Sequence, residues 1–153
     1  MSELIPLDEL PNHIGKQREP SDWLQIDQER VNAFADATLD HQFIHLDEEK
    51  AKQTPFGGTI VHGYLTLSLL PYFSAQCSIA PEGTVMAINY GSDKVRFLQP
   101  VPVGSSVRCH MVLDEVTEKN PGQYLCKSTV TVEIKDQDKP ALIAQVLSLF
   151  VVQ

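Results

Sequence analysis

The chain lacks any close pair of cysteines. Cys77, Cys109 and Cys126 are its three cysteines, widely spaced and without a Cys-x-x-Cys. Neither a disulfide framework nor a zinc ribbon is therefore indicated, and a reducing compartment suits them. No stretch approaches the ~18 apolar residues of a membrane span. The polar lead from Met1 to Pro20 has no basic start followed by an apolar run, so it does not read as a secretory signal. The expectation is a soluble cytoplasmic protein with no membrane partner. Positive charge is scarce: 12 Lys and Arg against 20 Asp and Glu leave a net charge of -8. That balance disfavours a nucleic-acid partner, because phosphate binding relies on a clustered excess of cations. Also missing are internal repeats, a Gly-x-Ser-x-Gly elbow around Ser68 or Ser74, and either nucleotide-binding glycine fingerprint at Gly57-Gly58.

What remains is ordinary for one folded domain spanning 1–153: 153 residues, 42% hydrophobic and 21% charged. Pro6, Pro11, Gly15 and Pro20 oppose long regular structure before about Ser21, so residues 1–20 read as a loosely packed lead. Asp27 is placed to cap a short helix, with Ile26 and Val31 as a hydrophobic staple and Val31, Phe34 and Ala35 on its apolar face. Asp47 is placed to cap another over Glu48 to Lys52. A longer central helix is expected from about His62, kinked or ended at Pro71, with Ser74 to Ile79 continuing and Ala80-Pro81-Glu82-Gly83 as a turn. Five strands follow: Thr84 to Tyr90, Lys94 to Leu98, Ser105 to Val116, Gln123 to Lys135 and Ala141 to Val152. In the fourth, Val130, Val132 and Ile134 alternate with Thr129, Thr131 and Glu133, as in a half-buried antiparallel strand. The last is apolar on both faces, which places it inside the sheet or against a partner subunit.

The chemistry concentrates in Thr38-Leu39-Asp40-His41-Gln42-Phe43-Ile44-His45. A carboxylate and an imidazole together can orient a water, take its proton and return one to carbon, without a metal. On a continuous helix Asp40 and His45 would lie about 140° apart, so an irregular loop is needed to turn both toward one pocket. The next segment, Thr54 to Tyr64, carries Gly57, Gly58 and Gly63 and feeds an apolar stretch. A helix start there would offer unpaired N–H groups to a developing negative charge, such as the enolate oxygen of a thioester.

Three separated segments in this order, Asp40 to His45, Ile60-Val61-His62-Gly63, and Asn89 to Phe97, resemble the MaoC-like (R)-specific enoyl-CoA hydratase family, and its nodulation-protein-N-like branch in particular. The resemblance runs from about Ser21 to the C-terminus. It implies an α+β hotdog fold, a curved antiparallel β-sheet wrapped around a central helix, and a homodimer with its site near the subunit boundary. It also implies hydration of trans-2-enoyl thioesters, with an acyl-CoA thioester as the substrate partner and no cofactor. Asp40 and His45 match the catalytic pair and the Gly63 N–H the oxyanion donor. Gln42, Phe43, His62 and Tyr64 fall among the pocket residues. His62 would either orient the loop or fill space.

The chain departs from the usual pattern in three places: Gln42 and Phe43 stand where Asn and Pro are common, and Leu39 where a glycine is. Lys94 and Arg96 would share one face of a strand by its two-residue period and could hold the coenzyme A phosphates. His41 and His45, four apart, lack the Glu of a His-Glu-x-x-His motif, and no metal is expected. A hotdog thioesterase is disfavoured because no acidic residue occurs from Gly63 to Ile79. A non-catalytic acyl-CoA-binding protein is the other alternative.

Overall fold

In the computed structural model, which describes residues 2–153, the N-terminal half holds most of the helices. It comprises β1 (Glu3–Ile5), a 3-10 turn at Leu10–His13, β2 (Leu24–Gln25), α1 (Gln28–Thr38), α2 (Phe43–Leu46), α3 (Glu48–Ala51), α4 (Gly63–Ser68) and α5 (Leu70–Cys77). Strands β3 (Ile79–Pro81), β4 (Thr84–Phe97), β5 (Ser106–Asn120), β6 (Gln123–Ile134) and β7 (Leu142–Val152) complete it. The main sheet is antiparallel, in the order β2-β5-β6-β7-β4. It curls over α4 and α5, whose Leu65, Leu70, Phe73 and Cys77 bury against Cys109, Met111, Val130, Val132, Leu142 and Ala144. Burying Phe73 completely is worth about 1.5–3 kcal/mol on its own.

Local chemistry explains the element starts. Asp27 accepts the Arg30 N–H at 2.9 Å, Ile26 and Val31 are both fully buried beside it, and Asp47 accepts the Lys50 N–H at 3.0 Å. Both caps stand where the sequence places them. The alternation in β6 also holds: Val130, Val132 and Ile134 are buried while their neighbours are half-exposed.

Four expectations change. The two strands expected on either side of Gly91-Ser92-Asp93 are one, β4, because register shifts against β7 between Asn89 and Gly91 and between Asp93 and Arg96 absorb the irregularity instead of a turn. The central helix breaks at Leu69 rather than kinking at Pro71, which falls in the first turn of α5, where its missing N–H costs nothing. Ile79 to Pro81 are strand, paired in parallel with Glu3 to Ile5. The lead is not loose: Ile5 and Leu10 are buried in a second cluster with Ile79, Leu113 and Cys126. The last strand, β7, lies inside the sheet between β6 and β4, which leaves β4 as an edge. No helix of the described residues is long and apolar enough to cross a membrane.

Candidate active site

Helix α1 ends at Leu39, whose φ of 64° is left-handed. A glycine there would be relaxed, and leucine costs about 1–2 kcal/mol, so the fold imposes this turn on an unfavourable residue. The turn releases Asp40 as a largely exposed side chain at the mouth of the site. Gln42 then caps the four-residue α2 without a side-chain bond, and its own N–H lies 3.4 Å from Asp40 Oδ1. One helical turn carries His45 inward to 7% exposure.

Three bonds tie this segment to residues 60–62: the Ile60 N–H donates to the Ile44 carbonyl at 3.0 Å, and two histidine rings supply the others. His45 Nδ1–H donates to the Ile60 carbonyl at 2.7 Å, which fixes the tautomer and leaves Nε2 as a bare acceptor. His62 Nε2–H donates to the Asp40 carbonyl at 3.0 Å. The two rings stack with centroids 3.8 Å apart and planes 25° from parallel. Burial lowers the His45 pKa below its ordinary 6.5, helped by His62 and opposed by the Ile60 bond and by Asp40. The ring is thus held neutral at physiological pH, ready to accept a proton.

Behind His45 stands a network that sequence reading missed. Gln28 Nε2 donates to the His45 carbonyl at 2.7 Å. The Thr59 hydroxyl meets Gln28 Oε1 at 2.8 Å and Glu48 Oε2 at 3.0 Å. Glu48 also accepts the Thr59 N–H at 2.9 Å, and these Thr59 bonds pull its carboxyl below the usual range. Nothing local marks Gln28 for this role, since its partners are 17 and 31 positions away.

Gly63 is the first residue of α4, where an N–H has no intrahelical acceptor. It shares a cavity of about 370 Å³ with His45, Thr66, Phe97 and Ala141. The Phe97 ring lies against the Gly63 Cα, only 3.1 Å from where a Cβ would stand. Thr66 Oγ1 and His62 Nδ1 are buried without a hydrogen-bond partner among the described residues. Tyr64 and Phe43 are exposed, Tyr64 with its ring 5.7 Å from that of Phe97.

Of the two roles open to His62 the geometry supports orienting the loop, whereas the expected alignment of Lys94 with Arg96 does not fit. His62 is 2% exposed and turns its Nε2 to the Asp40 backbone, so it holds the loop from behind rather than touching a ligand. Lys94 has a φ of 51° at the β4 irregularity, where Asp93 and Arg96 pair with Gln145 and Ile143 on one face. The two-residue alternation that would align Lys94 with Arg96 is broken there. Arg96 bonds the neighbouring Val95 carbonyl at 2.8 Å.

Asp40, His45 and His62 present one candidate ligand atom each within 4.8 Å of one another. The donor set fits a metal poorly, because stacked rings run their in-plane lone pairs side by side instead of converging them, and His62 Nε2 already donates to a carbonyl. His41 pairs with Asp36 at 2.9 Å, away from His45.

Comparison with known proteins gives this arrangement its family. The family model described as a MaoC-like domain matches residues 9–137. The chain belongs to the MaoC-like family. Among MaoC-like relatives, Nodulation protein N of Rhizobium leguminosarum bv. viciae is 43% identical over 148 residues, 95% of this chain and 91% of that protein. The 3-hydroxyacyl-thioester dehydratase Z of Mycobacterium tuberculosis is 47% identical over 137 residues, 90% of each. Among solved structures, the (R)-hydratase from A. caviae superposes with a TM-score of 0.70 at 24% identity, covering 87% of this chain and 95% of that one. The monoamine oxidase regulatory protein of Archaeoglobus superposes with a TM-score of 0.81 at 23% identity, over 99% and 97%. The hotdog fold and the nodulation-protein-N-like branch expected from the three segments are both borne out.

Proposed function

We propose that the chain is an (R)-specific enoyl-CoA hydratase, adding water reversibly across the trans-2 double bond to give the (R)-3-hydroxyacyl thioester. The coarser statement rests on homology alone: this is a hydratase or dehydratase of acyl thioesters. The observation that carries the finer reading is the His45 tautomer. Its Nε2 is an open acceptor on a ring kept neutral, next to the Asp40 carboxylate and in one cavity with the Gly63 N–H.

In the proposed reaction Asp40 holds the water through one hydrogen, and His45 Nε2 takes the other as the oxygen attacks C3. The electron pair of the double bond moves onto the thioester, the enolate oxygen accepts the Gly63 N–H, and the His45 imidazolium returns its proton to C2. Coenzyme A is the proposed carrier.

The test is loss of conjugated-thioester absorbance with crotonyl-CoA and a longer trans-2-enoyl-CoA, followed by chiral analysis of the product. An (S) product would remove the stereochemical claim, and acyl-CoA binding with no turnover would favour a binding protein. Because burial disfavours the His45 imidazolium, its base form persists into more acid solution. The acid limb of kcat/KM is therefore expected below the free-imidazole value of 6.5, and a limb at or above that value would contradict His45 as base.

A homodimer across β4 belongs to the same proposal. β4 is a 14-residue edge strand that exposes Val85, Met86, Ile88 and Tyr90, and long apolar edges rarely stay unpaired. Light scattering is expected to give twice 17.1 kDa, and Ile88→Asp to give the single mass. A cytosolic location is proposed from the three free thiols.

A further inference from the structure

The inner face of the sheet is mostly apolar but carries polar residues in two adjacent rows, Asn89 with Ser148 in one and Ser92 with Ser128 in the next. Asn89 on β4 pairs with Ser148 on β7, Ser148 pairs with Cys126 on β6, and Ser128 follows two positions on, on the same face. Asn89, Ser128 and Ser148 line a cavity of about 290 Å³ between α5 and the sheet, together with Ser74. A second cavity of about 440 Å³ shares Pro71, Ser74, Asn89, Met111 and Ser148 with the first, so the two form one groove. The Ser74 hydroxyl is engaged by the Pro71 carbonyl, and Ser2 bonds Ser78. Among the described residues no side-chain hydrogen bond engages Asn89, Ser128 or Ser148, and Ser128 is only 9% exposed.

The groove runs away from the reacting end. Phe97 of β4 covers Gly63 at the start of α4, whereas Tyr90 to Ser92 face Leu67 and Ser68, and Ala87 to Asn89 face Ser74 to Ser78. The helix pair and β4 are therefore antiparallel. From Gly63 to Pro71 the helical rise of ~1.5 Å per residue gives about 12 Å. The Gly63 cavity and this groove share no lining residue, so an acyl chain whose thioester sits at Gly63 must run along α4 past Leu67 and Ser68 before its far part meets these polar residues. An unbranched alkyl tail there would desolvate the two hydroxyls and the amide without replacing their water.

We propose that the groove selects acyl thioesters whose chain carries an oxygen function, a hydroxyl or keto group, in its distal half. Ser128, Ser148 and Asn89 would supply its hydrogen bonds. The inference rests on the reading that an acyl thioester is the substrate, and it is tested by binding rather than turnover so that the two can fail separately.

Calorimetry on the full-length protein would compare dodecanoyl-CoA, its 8-, 10- and 12-hydroxy analogues, and butyryl-CoA, which is too short to reach these residues. One hydroxylated chain is expected to bind about tenfold tighter than dodecanoyl-CoA. The Ser128→Ala/Ser148→Ala protein should lose that preference while binding butyryl-CoA unchanged. Ser148→Ala alone, with thermal melting as a check on folding, should lose part of it. Equal or tighter binding of the plain chain overturns the inference, and so does a preference that survives the double substitution. Loss of enoyl-CoA hydration with the binding preference intact would strike the proposed activity and leave the pocket assignment standing.

Discussion

Asp40→Asn and His45→Gln are each expected to lower kcat/KM for crotonyl-CoA by about 10²–10⁴-fold while leaving the protein folded. The Asp40 side chain is exposed and its loop is held by the backbone carbonyl that His62 grips, so an isosteric amide removes the charge and little else. In His45→Gln the new side-chain amide would keep an N–H able to reach toward the Ile60 carbonyl but would offer no basic nitrogen. Because both groups act on one water, the double variant should be little worse than the poorer single one. The measurement is loss of enoyl-thioester absorbance alongside circular dichroism. Near-normal turnover from either single variant would sink the assignment of that residue.

The second large effect concerns a backbone atom. Gly63→Pro removes the proposed oxyanion donor at a position unusually tolerant of proline. Gly63 is the first residue of α4, and His62 before it already has φ -56° and ψ 132°, the conformation a following proline demands. Its extra atoms meet the Phe97 ring at 3.1 Å, and Gly63→Ala introduces the same Cβ contact while keeping the N–H. The ratio of the two variants therefore isolates the donor, and Gly63→Pro is expected to fall about 10²–10³-fold below Gly63→Ala in kcat. Equal activity of the two would mean that the charge is stabilised elsewhere.

The sequence reveals most where the determining interaction is local. The Asp27 and Asp47 caps and the alternation of Val130, Val132 and Ile134 are legible because each depends on neighbours within a few positions. Sequence proximity and family resemblance also suggest Asp40, His45 and Gly63 as one site. The geometry gives that suggestion a tautomer and a shared cavity. What sequence does not supply is pairing between distant segments. His62 becomes a support for the loop only through its stack on His45 and its reach to Asp40. Gln28 and Thr59 join the site through partners that no periodicity marks. Lys94 and Arg96 depart from expectation because the alternation rule fails where Lys94 takes φ 51°. The N-terminal prolines do break up long helices, yet Ile5 and Leu10 anchor a segment that needs no helix to pack.

The cross-ties between residues 40–45 and 60–62 also bear on how the molecule comes together. The His45–Ile60 and His62–Asp40 bonds span 15 and 22 positions, whereas the sheet must join Leu24 to Val107 and Thr84 to Val152. Loop closure slows with sequence separation, so the chemical centre can reach its arrangement before β2 and β4 find their partners. A chain trapped with β4 mispaired would then carry a formed histidine stack beside an unbuilt groove. Amide exchange during refolding should protect the His45 and Thr66 N–H groups ahead of those in β4.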